Sequence, residues 1–384
     1  MNELQPTLRE RDLIDGLTFH EWTSIRDLTP YMSAGWAEAF LRPNSPTGPQ
    51  PPTTPLYRHP TGRQDPAARP GTAAAGTNLG LFTEQVLASG RRRRTVLGYD
   101  EPGLLATAFT NSAAANTLTQ AINDWSLVEW LRPEPKLTGL ILVSMNNPQR
   151  AAAEVRRLGA HPEFVGVALG TNALSMPFGH PVYHPVYEAA AEYGLPLVIQ
   201  VGSDTSPSLL APPIGGGIAA TYAETEIWGA HPLMTHVATL IFEGVFELFP
   251  NLRVLLVGGG LSWLPSAIWR LDFWWSTNRL EAPLLTHLPS EYLREHVRVA
   301  TYGMEHPSDP ERLRVALGTV PWLEDILLYA SGYPAIGWRE SEQIATHLPA
   351  EWLPKITAVN AEHFFRFPAE VANTSSEALS GHSG

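Results

Sequence analysis

Thirteen histidines, 38 acidic side chains and no cysteine define the chemistry open to this 384-residue chain. Disulfides, thiolate nucleophiles and cysteine-held metals are excluded together. Proton transfer then falls to imidazole and carboxylate. His20 and Glu21 are adjacent, so the carboxylate can tune the imidazole into an acid–base pair. The alternative is a loop histidine beside a surface glutamate. Glu224 and Glu226 stand two residues apart. They can split their pKa values and share acid–base work, or simply face solvent in an acidic protein. His231 and His236 are five apart, roughly 140° around a helix, and make a poor metal pair; His236 alone can point inward. His180 and His184 are four apart, but Pro181 and Pro185 break the regular geometry. His184 can line a loop near substrate or hold a structural turn. His306 is a lone histidine beside Met304 and Glu305. Trp263, Trp269, Trp274 and Trp275 could stack a cofactor, although core or subunit-interface packing accounts for them more simply. Tyr333 and Trp338 are better candidates for lining a pocket.

Such residues need elements to position them. Short apolar runs alternate with amphipathic stretches along the chain. Strands are expected over 13–19, 95–98, 139–144, 164–169, 196–201, 252–257, 297–301 and 326–330. Their apolar character on both faces is that of buried parallel strands. Helices are expected over 78–89, 111–131, 148–158, 185–193, 232–249, 261–277 and 310–317. Several open on proline in the first turn or on an asparagine cap. About eight strand–helix repeats predict a (β/α)8 barrel of α/β class, with a doubly wound sheet as the alternative. Gly215-Gly216-Gly217 and Gly258-Gly259-Gly260 lack the spacing of dinucleotide or phosphate loops. In a barrel, chemistry belongs at the C-terminal strand ends.

The net charge is −12, and 44% of the residues are hydrophobic. This composition excludes wholesale disorder and argues against nucleic-acid or anionic-membrane partners. Arg91-Arg92-Arg93-Arg94 reads as a solvated helix-to-strand turn. No apolar run is long enough to span a membrane, and residues 1–12 lack the apolar core of a signal peptide. A cytoplasmic protein is expected. Residues 1–11 read as an N-terminal extension, 12–368 as one barrel domain and 369–384 as a disordered tail. Within the barrel, 42–77 form a Pro/Gly-rich insertion after the first strand.

Several stretches resemble the amidohydrolase-related family, in the branch of aminocarboxymuconate-semialdehyde decarboxylase and similar aromatic-acid decarboxylases. They run from about Asp12 to Phe367. Asn123-Asp124-Trp125 with Glu129-Trp130-Leu131 is similar to the family's NDW…EWL helix. The segment from Gly179 to Ala190 resembles its G-x-P-x-Y-x-P-x-Y-E-A-A run. Leu240-Ile241-Phe242-Glu243-Gly244-Val245-Phe246-Glu247 and Phe249-Pro250-Asn251-Leu252 resemble LIFEGVFE…FP-x-L, and Tyr333-Pro334 closes the likeness. The resemblance implies a TIM barrel. It also implies one divalent metal, held by a D-x-H end of strand 1, a histidine on strand 5 and an aspartate on strand 8. Here those positions, with the one before the Gly-Gly after strand 6, fall on Leu17, Phe19, Gln200, Gly258 and Gly332. Leu, Phe and Gly cannot ligate through a side chain, and neutral Gln replaces His poorly. Neither a metal nor another cofactor is therefore expected.

Two functions follow. The first is a metal-independent lyase or hydrolase acting on a small aromatic or carboxylated molecule, in general or specialised small-molecule metabolism, by decarboxylation, C–N or C–C cleavage, or rearrangement. His20, Glu21, Glu224, Glu226, His236 and His306 would supply acid–base groups. Leu17, Phe19, Gln200, His184, Tyr333 and Trp338 would line the substrate. The second is a non-catalytic subunit that pairs with an active, metal-bearing amidohydrolase homologue. A homo-oligomer is compatible with either. A relocated metal site is the third option, without a convincing ligand cluster.

Overall fold

The computed structural model describes residues 12–42, 64–109, 111–171, 173–201 and 221–368. Eight strands lie in chain order: β1 (Leu13–His20), β2 (Arg92–Tyr99), β3 (Leu137–Leu142), β4 (Phe164–Gly170), β5 (Leu197–Gln200), β6 (Val254–Val257), β7 (Val297–Ala300) and β8 (Leu327–Leu328). Each overlaps the apolar run that predicts it, and all seven neighbouring pairs are parallel. The chain following β8 brings the ring together. The N–H groups of Gly16, Gly332 and Phe19 donate to the carbonyls of Tyr329, Leu17 and Tyr333. The result is the (β/α)8 barrel, not the doubly wound sheet.

The register of β1 against β2 shifts between Asp15 and Thr18. One extra residue is accommodated there, as in a β-bulge, which re-aims the side chains that follow. These are Thr18 to His20, at the mouth end of the strand.

The outer layer includes α1 (Ser112–Ser126), α2 (Pro148–Leu158), α3 (His184–Tyr193), α4 (Ala230–Phe242), α5 (Leu264–Thr277), α6 (Pro289–His296) and α7 (Pro310–Gly318). Local chemistry sets their ends. The Asn111 side chain accepts from the N–H groups of Ala113 and Ala114, and Asn147 caps α2 ahead of Pro148. Gly194 ends α3 with φ +64. Two expected helices are subdivided. The 111–131 helix continues past Ser126 as a π-helical turn over Leu127–Leu131. The 232–249 helix breaks at Gly244, whose φ of +70 stops α4 and starts a turn over Val245–Leu248.

The arginine run corrects the expectation of a solvated turn. Arg92 to Arg94 lie within β2. Arg92 is buried against Asp15 at 3.2 Å, Arg91 pairs with Glu342 at 2.8 Å and Arg93 pairs with Glu362. Arg94 donates to the Pro368 carbonyl at 2.7 Å. The run thus ties β2 to β1 and to the C-terminal helices. Three of its four charges meet an acidic partner.

The expected N-terminal extension, the tail and residues 43–63 of the Pro/Gly-rich segment lie outside the described residues. The rest of that segment has a defined place. Gln64 bridges Ala335, and the Asp65 N–H donates to the Pro334 carbonyl at 2.8 Å. The Asp65 carboxylate accepts from Trp338 Nε1 at 2.9 Å and Arg339 Nε at 3.0 Å. Residues 64–76 are fastened across the ends of β8 and β1, where the Gly76 carbonyl accepts from the Glu21 N–H. No described helix is long and apolar enough to cross a membrane.

Candidate functional site

The mouth of the barrel is built first by β1. Leu17 fills space left by Gly98 on the next strand: a Cβ there would stand 2.6 Å from Leu17 Cδ1 and 3.5 Å from Leu140 Cδ1. Phe19 meets the ring of Tyr302, just beyond β7, edge to face at 5.4 Å. Tyr302 must pass β8 to reach it, and Gly332 opens that path. A Cβ at 332 would lie 2.0 Å from Tyr302 Cδ2, and Gly332 has φ +68. Both the space and the backbone conformation call for glycine. An aromatic pair thus spans three strand ends, β7 to β1, where the resemblance expects metal-binding side chains.

The opposite arc is polar. Gln200 ends β5, buried and in register with Gly170 and Val257. Thr171 follows β4; its hydroxyl is buried with no hydrogen-bond partner. Gly258 has φ +86 and, among the described residues, only Val201 near the position of its missing Cβ. At the ligand positions that the resemblance implies, leucine, phenylalanine and glycine offer no side-chain donor to a divalent cation. Among the described residues, no group of three or more His, Cys, Asp or Glu side chains is arranged to hold one.

Glu21 is the titratable group whose setting suits proton transfer near neutrality. Burial pushes its carboxyl up to about 7, reinforced by the charges of Asp100 and Glu101. Gln64 Nε2 donates to it at 3.3 Å. The group sits half-buried at the end of β1, braced by the fastened segment.

The other candidates do not gather around Glu21. His20 lies behind the wall of β1, stacked 5.3 Å from Trp125 and edge-on to Trp130. Its Nδ1–H donates to the Gly98 carbonyl at 2.9 Å, and its Nε2 accepts from the Ser126 hydroxyl at 2.7 Å. Burial lowers its pKa to about 4. His236 is held in the same way. Nε2–H donates to the Thr171 carbonyl at 2.7 Å, Nδ1 accepts from the Phe178 N–H at 3.1 Å, and burial brings it to about 4. Both rings are neutral pins between elements. His184 packs on Phe249 at 5.3 Å in the helical layer. Glu224, Glu226 and His306 are exposed, and Glu224 accepts from the Thr221 N–H at the start of its helix. Tyr333 is enclosed by Phe82 and Trp338, and burial raises its hydroxyl to about 12. Trp338 anchors Asp65. The sequence reading missed Tyr302. Its signal was indirect: a glycine at strand 8 leaves a space that an aromatic on the neighbouring strand can fill.

The amidohydrolase family model matches residues 86–367. The chain belongs to the amidohydrolase family. Its curated relatives include a gamma-resorcylate decarboxylase from Polaromonas, 24% identical over 185 residues, covering 46% of this chain and 54% of that protein. A 2-amino-3-carboxymuconate-6-semialdehyde decarboxylase from Dictyostelium discoideum is 27% identical over 160 residues, covering 40% and 41%. The chain therefore aligns with about half the length of these relatives. Among solved amidohydrolase-fold structures, 5-carboxyvanillate decarboxylase from Sphingomonas paucimobilis superposes with a TM-score of 0.64 at 20% identity, over 92% of this chain and all of that one. The Novosphingobium aromaticivorans 5-carboxyvanillate decarboxylase, solved with manganese and 4-hydroxy-3-methoxy-5-nitrobenzoic acid, gives 0.64 at 19% identity over 94% and 97%. These likenesses establish the amidohydrolase barrel fold.

Proposed function

We propose that this amidohydrolase-family chain is a metal-independent lyase that decarboxylates a small aromatic acid at the barrel mouth. The carrying observations are the apolar floor of Leu17, Phe19 and Tyr302 and, at the residue that follows β1, the Glu21 carboxyl that burial raises to about 7. The decarboxylases among the relatives support the reaction class. An apolar floor suits an aromatic ring. It also disfavours a localised carboxylate relative to a transition state in which charge spreads into the ring. The bond between ring and carboxylate breaks, its electron pair stays on the ring carbon, and carbon dioxide leaves. Protonated Glu21 supplies the proton to that carbon and is reprotonated from water. Gln200 orients a neutral polar substituent from the opposite arc.

The test is a panel of phenolic carboxylic acids, followed by substrate absorbance and carbon dioxide release, with chelator or with added manganese or zinc. Turnover that survives chelation and falls at least about 100-fold in Glu21→Gln supports the reading. Turnover that appears only with added metal overturns it.

A second reading is a non-catalytic subunit partnered with a metal-bearing relative. It is favoured by the replacement of ligand positions with Leu, Phe and Gly, which bring no new reactive group. Co-expression with such a relative, followed by purification and assay, separates the two. A stable complex whose activity depends on this chain's presence, with the isolated chain inert, supports the subunit reading.

A further inference from the structure

Four arginines gather at the end of the barrel opposite Glu21, where the strands begin. Arg94 lies near the start of β2, Arg253 immediately precedes β6 and Arg298 is the second residue of β7. Arg298 is in register with Leu255, so it shares a face with Arg253, two residues before that leucine. The segment from His363 to Pro368 crosses this end. Arg253 donates through Nη1 to the His363 carbonyl at 3.1 Å and through Nη2 to the Gly194 carbonyl at 2.8 Å. Arg366 lies over the same glycine: a Cβ at 194 would stand 2.3 Å from its Cζ. Arg94 donates to the Pro368 carbonyl at 2.7 Å and packs 5.6 Å from the centre of the Phe367 ring. Among the described residues Arg298 donates only through Nη1, to the carbonyls of Arg294, Glu295 and Val297 at the end of α6.

Every hydrogen-bond partner in that set is a peptide carbonyl. Among the described residues none of the four guanidinium groups makes an ion pair. In a chain with 38 acidic against 26 basic residues, a shortage of acids does not explain this. The acids nearby are taken: Glu362 by Arg93, and Asp325, whose charge acts on Arg298, by Lys355 at 2.7 Å and Arg294 at 2.8 Å. A helix end supplies about half a negative charge, so the ends that meet these arginines are too weak to cancel four cations. Burial, then the charges of Arg366 and Arg298, pushes the Arg253 guanidinium below its ordinary range, and burial does the same to Arg298.

We propose that this end of the barrel binds a phosphate group, free or carried on a small ester. Guanidinium groups offer paired N–H donors that match phosphate oxygens two at a time. Nε and Nη2 of Arg298 and the whole fork of Arg366 are open to donate. Arg366 is exposed and the other three are half-buried. A ligand can therefore reach the cluster, and its charge acts there through a medium less polarisable than bulk water.

The test is titration calorimetry and thermal unfolding of the full chain with inorganic phosphate, pyrophosphate and glycerol 3-phosphate, each against sodium chloride of equal ionic strength. At least one of the three should bind with a dissociation constant below about 1 mM. It should raise the thermal midpoint by about 3 °C at about 100 times that constant. The tightest of the three identifies the source of the phosphate. Arg366→Gln should weaken binding about 10-fold and Arg366→Glu about 100-fold or more. Arg312→Gln, on α7, should bind as the wild type does. Should the Arg366 variants fail to fold, phenylglyoxal modification of wild-type Arg366, mapped by mass spectrometry, serves instead and should slow when the ligand is present. Midpoint shifts matched by chloride reveal an adventitious ion only and overturn the assignment. So does binding that folded Arg366→Glu leaves intact, or a glutamate-rich peptide that displaces pyrophosphate at lower concentration. Binding that appears only once Glu370, two residues past Pro368, is replaced by glutamine also overturns it. None of these outcomes depends on whether the chain turns over an aromatic acid.

Discussion

Burial moves the Glu21 carboxyl, just past the end of β1, into the neutral range. It rises from an ordinary 4.5 to about 7 on folding, through burial and the charges of Asp100 and Glu101. A raised acid binds its proton more tightly in the folded state, so its contribution to stability is complete below pH 4.5 and is lost as pH rises to about 7. Glu21→Gln should therefore gain about 1–2 kcal/mol over wild type above pH 7 and little below pH 4.5, read from urea midpoints. On the proposed reaction, wild-type turnover should decline above about pH 7, and the residual turnover of the same variant should not. A second prediction concerns Gly332. Gly332→Asp places a Cβ against the Tyr302 ring at a positive φ, and should cost about 2–4 kcal/mol without conferring tight manganese or zinc binding by calorimetry. Adding Tyr302→Ala should relieve the clash but leave the backbone strain.

At the scale of elements, the barrel was legible where burial dictates residue type. All eight strands fall on their apolar runs because both faces of a parallel barrel strand are covered. Pro148, Pro310 and the asparagine caps marked helix starts because orphan N–H groups need partners there. Tertiary pairing was not legible. The arginine run looks solvated in isolation, since its partners Asp15, Glu342 and Glu362 are up to hundreds of residues away in sequence. His20 and Glu21 look like one acid–base pair, yet successive side chains on a strand point to opposite faces. His20 consequently joins the helical layer, while Glu21, just past the end of β1, meets Gln64. The Asp15–Arg92 pair supplies the test at this scale. Arg92→Met should destabilise by about 3–5 kcal/mol, because it strips the fully enclosed Asp15 carboxyl, whose pKa burial already raises, of its compensating cation. Asp15→Asn with Arg92→Met should recover much of that loss.

The whole molecule inherits an acid sensitivity from its neutral histidine pins. His20 and His236 each hold about 4 in the fold against 6.5 when free, because burial disfavours the charged ring. The unfolded chain therefore binds their protons first. The stability due to neutral rings is intact above pH 6.5 and declines as pH falls towards 4, by up to about 3 kcal/mol for each ring. Denaturant midpoints should drop between pH 7 and 5, and replacing either histidine with glutamine should flatten the slope. Family membership and fold could be read from the sequence because they are distributed over the whole barrel. The contents of the mouth could not, because they depend on what one strand leaves vacant for another. That dependence would make an exchange at position 332 directional. A lineage that had once placed an aspartate on β8 could regain it only after Tyr302 had shrunk or swung away. A tyrosine that entered once the position had become glycine would have closed the return route, as a ratchet does.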